Sequence, residues 1–324
     1  METTINSSKL EAIKNNILSV IYMDEIKLEY LLAALVAGGH VMLADTHGVG
    51  KTSLARALAG SIEWDTLEKT EEGIEIDHFN RVQCTVDLLP QDILGYSRIS
   101  GTGFEMSFTK GPVFAHFLLC DEINLLTPKT QGSFFQVMEE QSVSIEGNTY
   151  HLPSPFFIIS TMNLKGAHLF PLPAPQLDRF MLRLSLGYPQ AEDELAIVSQ
   201  HGRNDGWKTL KPVLKASDLR AWQEEVDTVS IHPDIIRYIV DLVRATREHG
   251  SVETGCSPRT GVKLSRMARS LALIRGEEFI THDHIKEIFV AATAHRLELK
   301  DPDASAEDVL NEILQTTAVP VVSS

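Results

Sequence analysis

Apolar positions along the chain recur first at helical and then at strand spacing. Leu10, Ile13, Ile17 and Ile21 fall on one face of a 3.6-residue repeat, behind Ser8-x-x-Glu11, which predicts a helix opened by a capping box. "KLEYLLAALVAGG" predicts a second helix that stops at Gly38-Gly39. The short apolar run "HVMLA" predicts a strand, and "KTSLARALAG" a helix directly after the intervening loop. Three further runs, "FNRVQC", "VFAHFLLCDE" and "PFFIISTMN", show little polar alternation. That pattern suits strands buried on both faces of a parallel sheet covered by helices. Between the last two lies "LTPKTQGSFFQVMEEQ", a helix with Thr127 as N-cap and Pro128 at its first position. Strand and helix alternate, so the fold class is α/β.

From about Ala191 the pattern becomes helical throughout. "AEDELAIVSQ", "ASDLRAWQEEVDTV", "HPDIIRYIVDLVRATREHG", "SPRTGVKLSRMARSLALIRG" and "THDHIKEIFVAATAHRLEL" all read as helices. Ser217, Pro233, Ser257-Pro258 and Thr281 supply their caps or first turns. No strand pattern is evident after Leu186. The expected boundary lies near Tyr188-Pro189, giving an α/β domain over 1–188 and an all-helical domain over 189–324, with a loose tail.

Composition adds constraints. The 324 residues carry a formal net charge of −15, which repels polyphosphate backbones and anionic lipid, so neither nucleic-acid binding nor membrane insertion is expected. The three cysteines, Cys84, Cys120 and Cys256, are far apart without CxxC spacing, as free thiols of a reducing compartment are. With no apolar leader at the N-terminus and no span of membrane length, the cytoplasm is the expected location.

The candidate chemistry begins in "VMLADTHGVGKTSLARALAG". The P-loop pattern G-x-x-x-x-G-K-(S/T) fits at Gly50-Lys51-Thr52, while its opening glycine is Asp45. Such a loop presents successive backbone N–H groups to phosphate oxygens at a helix N-terminus, with a lysine as cation and a hydroxyl for magnesium. His47, Gly48, Val49, Gly50, Lys51, Thr52 and Ser53 are the candidate nucleotide-binding residues. Asp45 is expected to cap a turn through its own backbone, and its charge to lower nucleotide affinity. "FLLCDEIN" resembles the second ATPase element, in which a first carboxylate, Asp121, holds hydrated magnesium and a second, Glu122, orients or deprotonates water. Thr52 and Asp121 are thus the candidate metal ligands. Asn163 closes a buried strand at the ligand-binding edge of an α/β sheet. Arg179 in "QLDRF" ends the α/β part. Arg259 in "SPRTG" lies in a first helical turn, where a cation opposes the helix dipole and calls for an anion to reach.

Together "GGHVMLADTHGVGKT", "FNRVQCTVDLLPQDILGY", "KGPVFAHFLLCDEIN", "PKTQGSFFQVMEE", "LPSPFFIISTMN", "FPLPAPQLDRF" and "SPRTGVKL" resemble the MoxR family of AAA+ ATPases, over roughly Lys9 to Arg296. The resemblance implies a P-loop AAA+ three-layer αβα domain followed by an all-helical lid. It also implies assembly into a homo-oligomeric ring, a hexamer, with ATP and Mg²⁺ at subunit interfaces. By the same resemblance Asn163 would be sensor 1, Arg259 sensor 2 from the lid of the same subunit, and Arg179 a finger offered to the neighbour's γ-phosphate. "TGFEMSFT" and "VSIEGNTYHL", the latter turning at Gly147-Asn148, read as inserted hairpins; pore-facing loops and sheet-edge packing both remain open for them. The sequence departs from the family at Asp45, at His47 in place of proline, at "VIYMDE" in place of Val-Gly-Gln, and at Leu125 in place of arginine.

The implied function is ATP hydrolysis driving the remodelling or maturation of a client protein, in the company of partners with a von Willebrand factor A domain. The alternative is a nearly inert, nucleotide-gated scaffold. His282, His284 and His295 lack partners at metal spacing and read as surface or packing residues, and Trp64, Trp207 and Trp222 as structural.

Overall fold

The computed structural model describes residues 7–45, 48–64, 68–100, 105–162, 170–199 and 206–320. Five strands form one parallel sheet: β1 (His40–Ala44), β2 (Asp77–Gln83), β3 (Ala115–Asp121), β4 (Phe157–Met162) and β5 (Phe180–Leu184), in the order β5-β1-β4-β3-β2. The three central strands are β1, β4 and β3, and all but the last residue of β4 are buried. This is the continuous apolar pattern of a sheet covered on both faces. Alternation splits them between two cores. Val41, Leu43, Phe117, Leu119, Phe157 and Ile159 face one side, with α1 (Ser7–Leu18), α2 (Glu25–Val36) and α3 (Lys51–Gly60). Met42, Leu118, Cys120 and Ile158 face the other, with α4 (Pro128–Glu140) and two hairpins. Within the described residues this is the α/β three-layer arrangement expected from the sequence.

Several local expectations are corrected. Ser8 lies inside α1, which already begins at Ser7, so it does not serve as that helix's cap. The "FNRVQC" run forms the edge strand β2, where only Val82 is buried; covered on one side only, it carries polar Arg81 and Gln83 on one face. The second hairpin (Ser142–Ile145 with Asn148–His151) turns one residue earlier than expected, at Glu146-Gly147. Both turn residues have positive φ, 51° and 84°, the left-handed pair that matches strand twist in a two-residue turn. The other hairpin pairs Gly95–Ser100 with Glu105–Lys110; its expected turn at 101–104 lies outside the described residues.

Beyond β5 come α5 (Ala191–Ser199), α6 (Ala216–Glu225), α7 (Pro233–Glu248), α8 (Pro258–Ile274), α9 (His282–Thr293) and α10 (Ala306–Thr316). Three short strands interrupt these helices: Leu214–Lys215 pairs with Ile62–Glu63, and Val252–Thr254 with Glu298–Leu299. Two or three residues are too few to leave a period-two signature. The helices share one core with α1–α3 and cap the end of α2. Ser270 Oγ donates to Ala33 O at 2.7 Å, Gln223 Nε2 to Leu35 O at 2.8 Å and Arg266 Nε to Ala37 O at 2.7 Å, adding donors at the helix end where carbonyls run short of intrahelical partners. Ala33 O and Leu35 O also accept from the Ala37 and Gly38 N–H groups. His284 completes a capping box with Thr281, and His295 is buried, so both are packing residues. Trp64 stacks on His116 with centroids 4.0 Å apart.

His40, at the start of β1, accepts the Ile158 N–H on Nδ1 at 3.1 Å and donates from Nε2 to Met138 O at 3.3 Å. Burial pushes its pKa down to about 4, and burial pushes His116 and His295 the same way. A histidine that stays neutral in the fold but protonates near 6.5 when unfolded leaves stability intact above 6.5 and loses it as pH falls toward 4. Urea unfolding should therefore show stability falling from pH 6.5 to 4. The variant His40→Gln should flatten that fall by about 1.4 kcal/mol per pH unit.

Candidate functional site

The phosphate cradle stands at the C-terminal end of β1. Gly48 and Gly50 adopt φ of 82° and 90°, a left-handed backbone that glycine enters without a Cβ penalty. Gly50 is the N-cap of α3, so the first helical amides open onto the loop. Lys51 Nζ donates to the Asp45 carbonyl at 2.7 Å. Burial lowers the Lys51 pKa, against the opposing pull of Asp45, Asp121 and Glu122. Thr46 and His47 lie outside the described residues.

Asp45 itself does something other than cap its own turn. Its carboxylate accepts from Ser185 Oγ at 2.6 Å, from the Leu186 N–H at 2.7 Å and from the Gly187 N–H at 3.2 Å. The side chain is buried and ties the start of the loop to the chain leaving β5.

Across a cavity of about 360 Å³ stand Arg81, Gln83, Asp121 and Glu122, facing Gly48, Gly50, Lys51, Thr52 and Ser53. Asp121 is buried at the tip of β3. Its Oδ2 takes Arg81 Nε at 2.6 Å, and its Oδ1 accepts from Thr161 Oγ1 at 3.2 Å. Glu122 sits in the left-handed region, φ 60° and ψ 52°, a conformation that costs a non-glycine residue energy and is concentrated at working sites. Its N–H donates to Thr161 Oγ1 at 2.9 Å, so one threonine orders both carboxylate-bearing residues. Gln83 accepts from Arg81 at 2.9 Å and reaches toward Glu122 at 3.5 Å. Thr52 and Asp121 supply the hard oxygen donors that magnesium takes, few in number beside phosphate and water. The residues therefore fit that ion, and no cluster of three or more His, Cys, Asp or Glu forms another metal site among the described residues.

The two arginines lie elsewhere. Arg179 immediately precedes Phe180, which pairs with His40 at the N-terminal end of β1. It binds Glu139 through Nη2 at 2.7 Å and Nε at 3.1 Å, with Phe135 beneath its guanidinium. Arg259, at the start of α8, reaches the other Glu139 oxygen at 3.5 Å and is far more exposed than Arg179. Both line a second cavity of about 390 Å³ and neither lines the first. Five residues of strand at ~3.3 Å each put roughly 15 Å between the two ends of β1. The turn bearing Arg179 is gripped from the helical part: Lys263 Nζ donates to Asp178 O, Ser257 Oγ to Asp178 Oδ2 at 3.4 Å, and buried Arg296 lies 3.4 Å from Asp178 Oδ1. Burial first, then Arg296, lowers the Lys263 pKa to about 8. Asn163 lies outside the described residues.

The sequence pattern described as the ATPase family associated with various cellular activities (AAA) matches residues 40–182, and that of the AAA lid domain matches 244–316. The chain is 35% identical to the chaperone MoxR1 of Mycobacterium tuberculosis, over 94% of this chain and 80% of that one. It belongs to the MoxR family of AAA+ ATPases. YeaC of Bacillus subtilis, an uncharacterised protein, is 38% identical over 90% of this chain and 89% of its own. A crystal structure of a candidate ATPase from Cytophaga hutchinsonii superposes with a TM-score of 0.85 at 26% identity, covering 97% of this chain and 96% of that one.

Within this MoxR-family fold Gly48, Gly50, Lys51, Thr52, Ser53, Asp121 and Glu122 come together around one cavity, while Val49 is buried in the core instead and Arg179 and Arg259 gather at the opposite sheet end. Arg81, Gln83 and Thr161 were not anticipated. Arg81 and Gln83 share a face of β2 by their two-residue spacing, a signal hidden when "FNRVQC" is read as simply apolar. Restoring the family glycine with Asp45→Gly removes three hydrogen bonds to a buried carboxylate. Urea unfolding should show a loss of about 3 kcal/mol, and calorimetry should show no gain in ATP affinity, because the carboxylate is turned toward 185–187.

Proposed function

We propose that this chain hydrolyses ATP with magnesium at a site completed by an adjoining copy, and uses the cycle to remodel, assemble or mature a client protein. The observation that carries the reading is the placement of Arg179 and Arg259 at the end of the sheet away from Lys51, Asp121 and Glu122. Cations so far from their own phosphate cradle, both within reach of Glu139 on their own chain, are better placed to serve another copy's cradle than their own. Such a head-to-tail contact closes into a ring when its rotation permits.

The expectation from resemblance put Arg259 over its own subunit's phosphates; its place beside Arg179 favours a second cation for the neighbour instead. In the proposed reaction the loop amides and Lys51 hold the β- and γ-phosphates. Glu122 orients and deprotonates the attacking water, aided by Asn163. Gln83 and Thr161 hold the Glu122 side chain and backbone in place. Magnesium, held by Thr52 and Asp121, would neutralise charge developing between the phosphates. The neighbour's Arg179 and Arg259 stabilise the transferring phosphoryl group. The client role follows the relative named a chaperone, and a partner with a von Willebrand factor A domain is part of the same proposal.

The contact between Arg81 and Asp121 favours a second reading, a nucleotide-gated scaffold with slow turnover, because a guanidinium stands on the carboxylate that would hold the metal. Steady-state assays over protein concentration separate the two. Glu122→Gln should keep ATP binding while lowering turnover at least about 100-fold, and Arg179→Ala should lower it about 1,000-fold. Mixing these two inactive variants should restore turnover, since one supplies the cradle and the other the finger. Mixtures that stay inactive, although each variant binds ATP and assembles, would overturn the shared site.

A further inference from the structure

Helix α5 buries none of its nine residues. Helices this short are marginal in water unless they pack one face against something else. Leu195 and Val198, three residues apart and so on one face, are 71% and 74% exposed. The first turn carries Glu192, Asp193 and Glu194, and the helix contains no basic residue. It is an acidic helix with an uncovered apolar stripe.

A groove of about 410 Å³ between α7 and α8 has the complementary character. Ile231, Ile236, Ile239, Val240 and Val262 line it together with Arg269. Ile236 and Val240 are each 47% exposed, and Val262 70%. Arg266 in its wall is spent on both oxygens of Asp227, at 2.7 and 2.9 Å. Arg269 gives Nη1 to the Asp227 carbonyl, but its buried Nε finds no acceptor among the described residues. With Asp227 balancing Arg266, the groove offers apolar walls and one remaining positive charge in its lining, that of Arg269.

Placement joins the two. Val262 and Arg266 line both this groove and the cavity holding Arg179 and Arg259, so the groove continues the face proposed to meet a neighbour. Helix α5 starts four residues after Gly187, whose N–H is held by Asp45 at the phosphate cradle. The helix therefore lies on the cradle's side of its own chain. When one copy brings its arginines to the next copy's cradle, the next copy's α5 is carried toward the groove.

We infer that the α7–α8 groove of one copy receives the acidic, apolar face of α5 from the adjoining copy. Leu195 and Val198 enter between Val262 and Ile236, and the α5 carboxylates face Arg269. This rests on the shared-site reading for its direction, and its test is separable. The variants are Val198→Cys and Val262→Cys, alone and combined, in a chain whose own three cysteines are buried; the reagent is a short bis-maleimide, with ATP and magnesium present.

The double variant should cross-link between copies into a ladder ending at a closed oligomer, and either single variant should not. Leu195→Asp and Val262→Asp, both at exposed positions, should each weaken association by about tenfold or more in sedimentation, with circular dichroism and nucleotide binding unchanged. Cross-linking in a chain whose turnover is indifferent to Arg179→Ala keeps the docking and removes the shared site. Rescue in variant mixtures without cross-linking overturns the docking alone. A chain that sediments as a monomer with nucleotide, or assembles without cross-linking, overturns it too.

Discussion

The length of one central strand governs everything the site can do. Residues His40–Ala44 run once through the sheet, deliver the phosphate cradle at one end and lie beside Arg179 at the other. Packed on both faces and hydrogen-bonded on both edges, this strand cannot shorten or bend to bring the two ends together. A chain with the cradle and the carboxylates at one sheet end, and Arg179 with Arg259 of α8 gathered at the other, therefore does not bring the four together by itself. The separation is geometric, and no side-chain rotation overcomes it.

The neighbouring strand β5 spans the same distance and is anchored at both ends. Its exit, 185–187, is held by the Asp45 carboxylate beside the cradle. Its entry, at Asp178, is held by Lys263, Ser257 and Arg296 from the helical part. Buried ionic groups of this kind are costly to desolvate and add little net stability against an apolar alternative, so their value lies in fixing one arrangement. What they fix here is the direction in which Arg179 leaves the sheet. The helical part is also sealed to the carbonyl end of α2, and that seal keeps Arg259 beside Arg179.

Much of this was legible in the chain alone. "HVMLA" and "KTSLARALAG" match β1 and α3 residue for residue, because an apolar run between Gly-Gly and a P-loop has few alternatives. The carboxylate pair after an apolar strand was equally plain. What stayed hidden depended on pairing across the sheet. Asp45 finds its donors 140 to 142 positions away, so sequence could only give it a local turn to cap. Thr161 becomes meaningful once β4 is laid beside β3, and Arg81 once β2 is recognised as an edge. Arg259 reaches the Glu139 carboxylate at 3.5 Å, yet the end of the sheet it occupies is a property of how α8 packs. Helix α10, capped by Ser305, was not among the helices read from the sequence; only the segment after it, "TTAVPVVSS", was expected to be loose.

Electrostatics explain how a polyphosphate reaches so acidic a chain. With a net charge of −15 the mean field opposes an anion, and local arrangement has to outweigh it. At the cradle the amides of a helix N-terminus and Lys51 face the ligand, while the charge of Asp45 is taken up by donors pointing the other way. Asp121 would otherwise add a buried negative charge beside the phosphates, and Arg81 balances it at 2.6 Å. That contact holds the carboxylate in position, and it also means that a metal would compete with a guanidinium for the same oxygen. The site is thus favourable to phosphate before it is favourable to the ion, and under the proposed shared site the cations that complete it would come from the far sheet end of an adjoining copy.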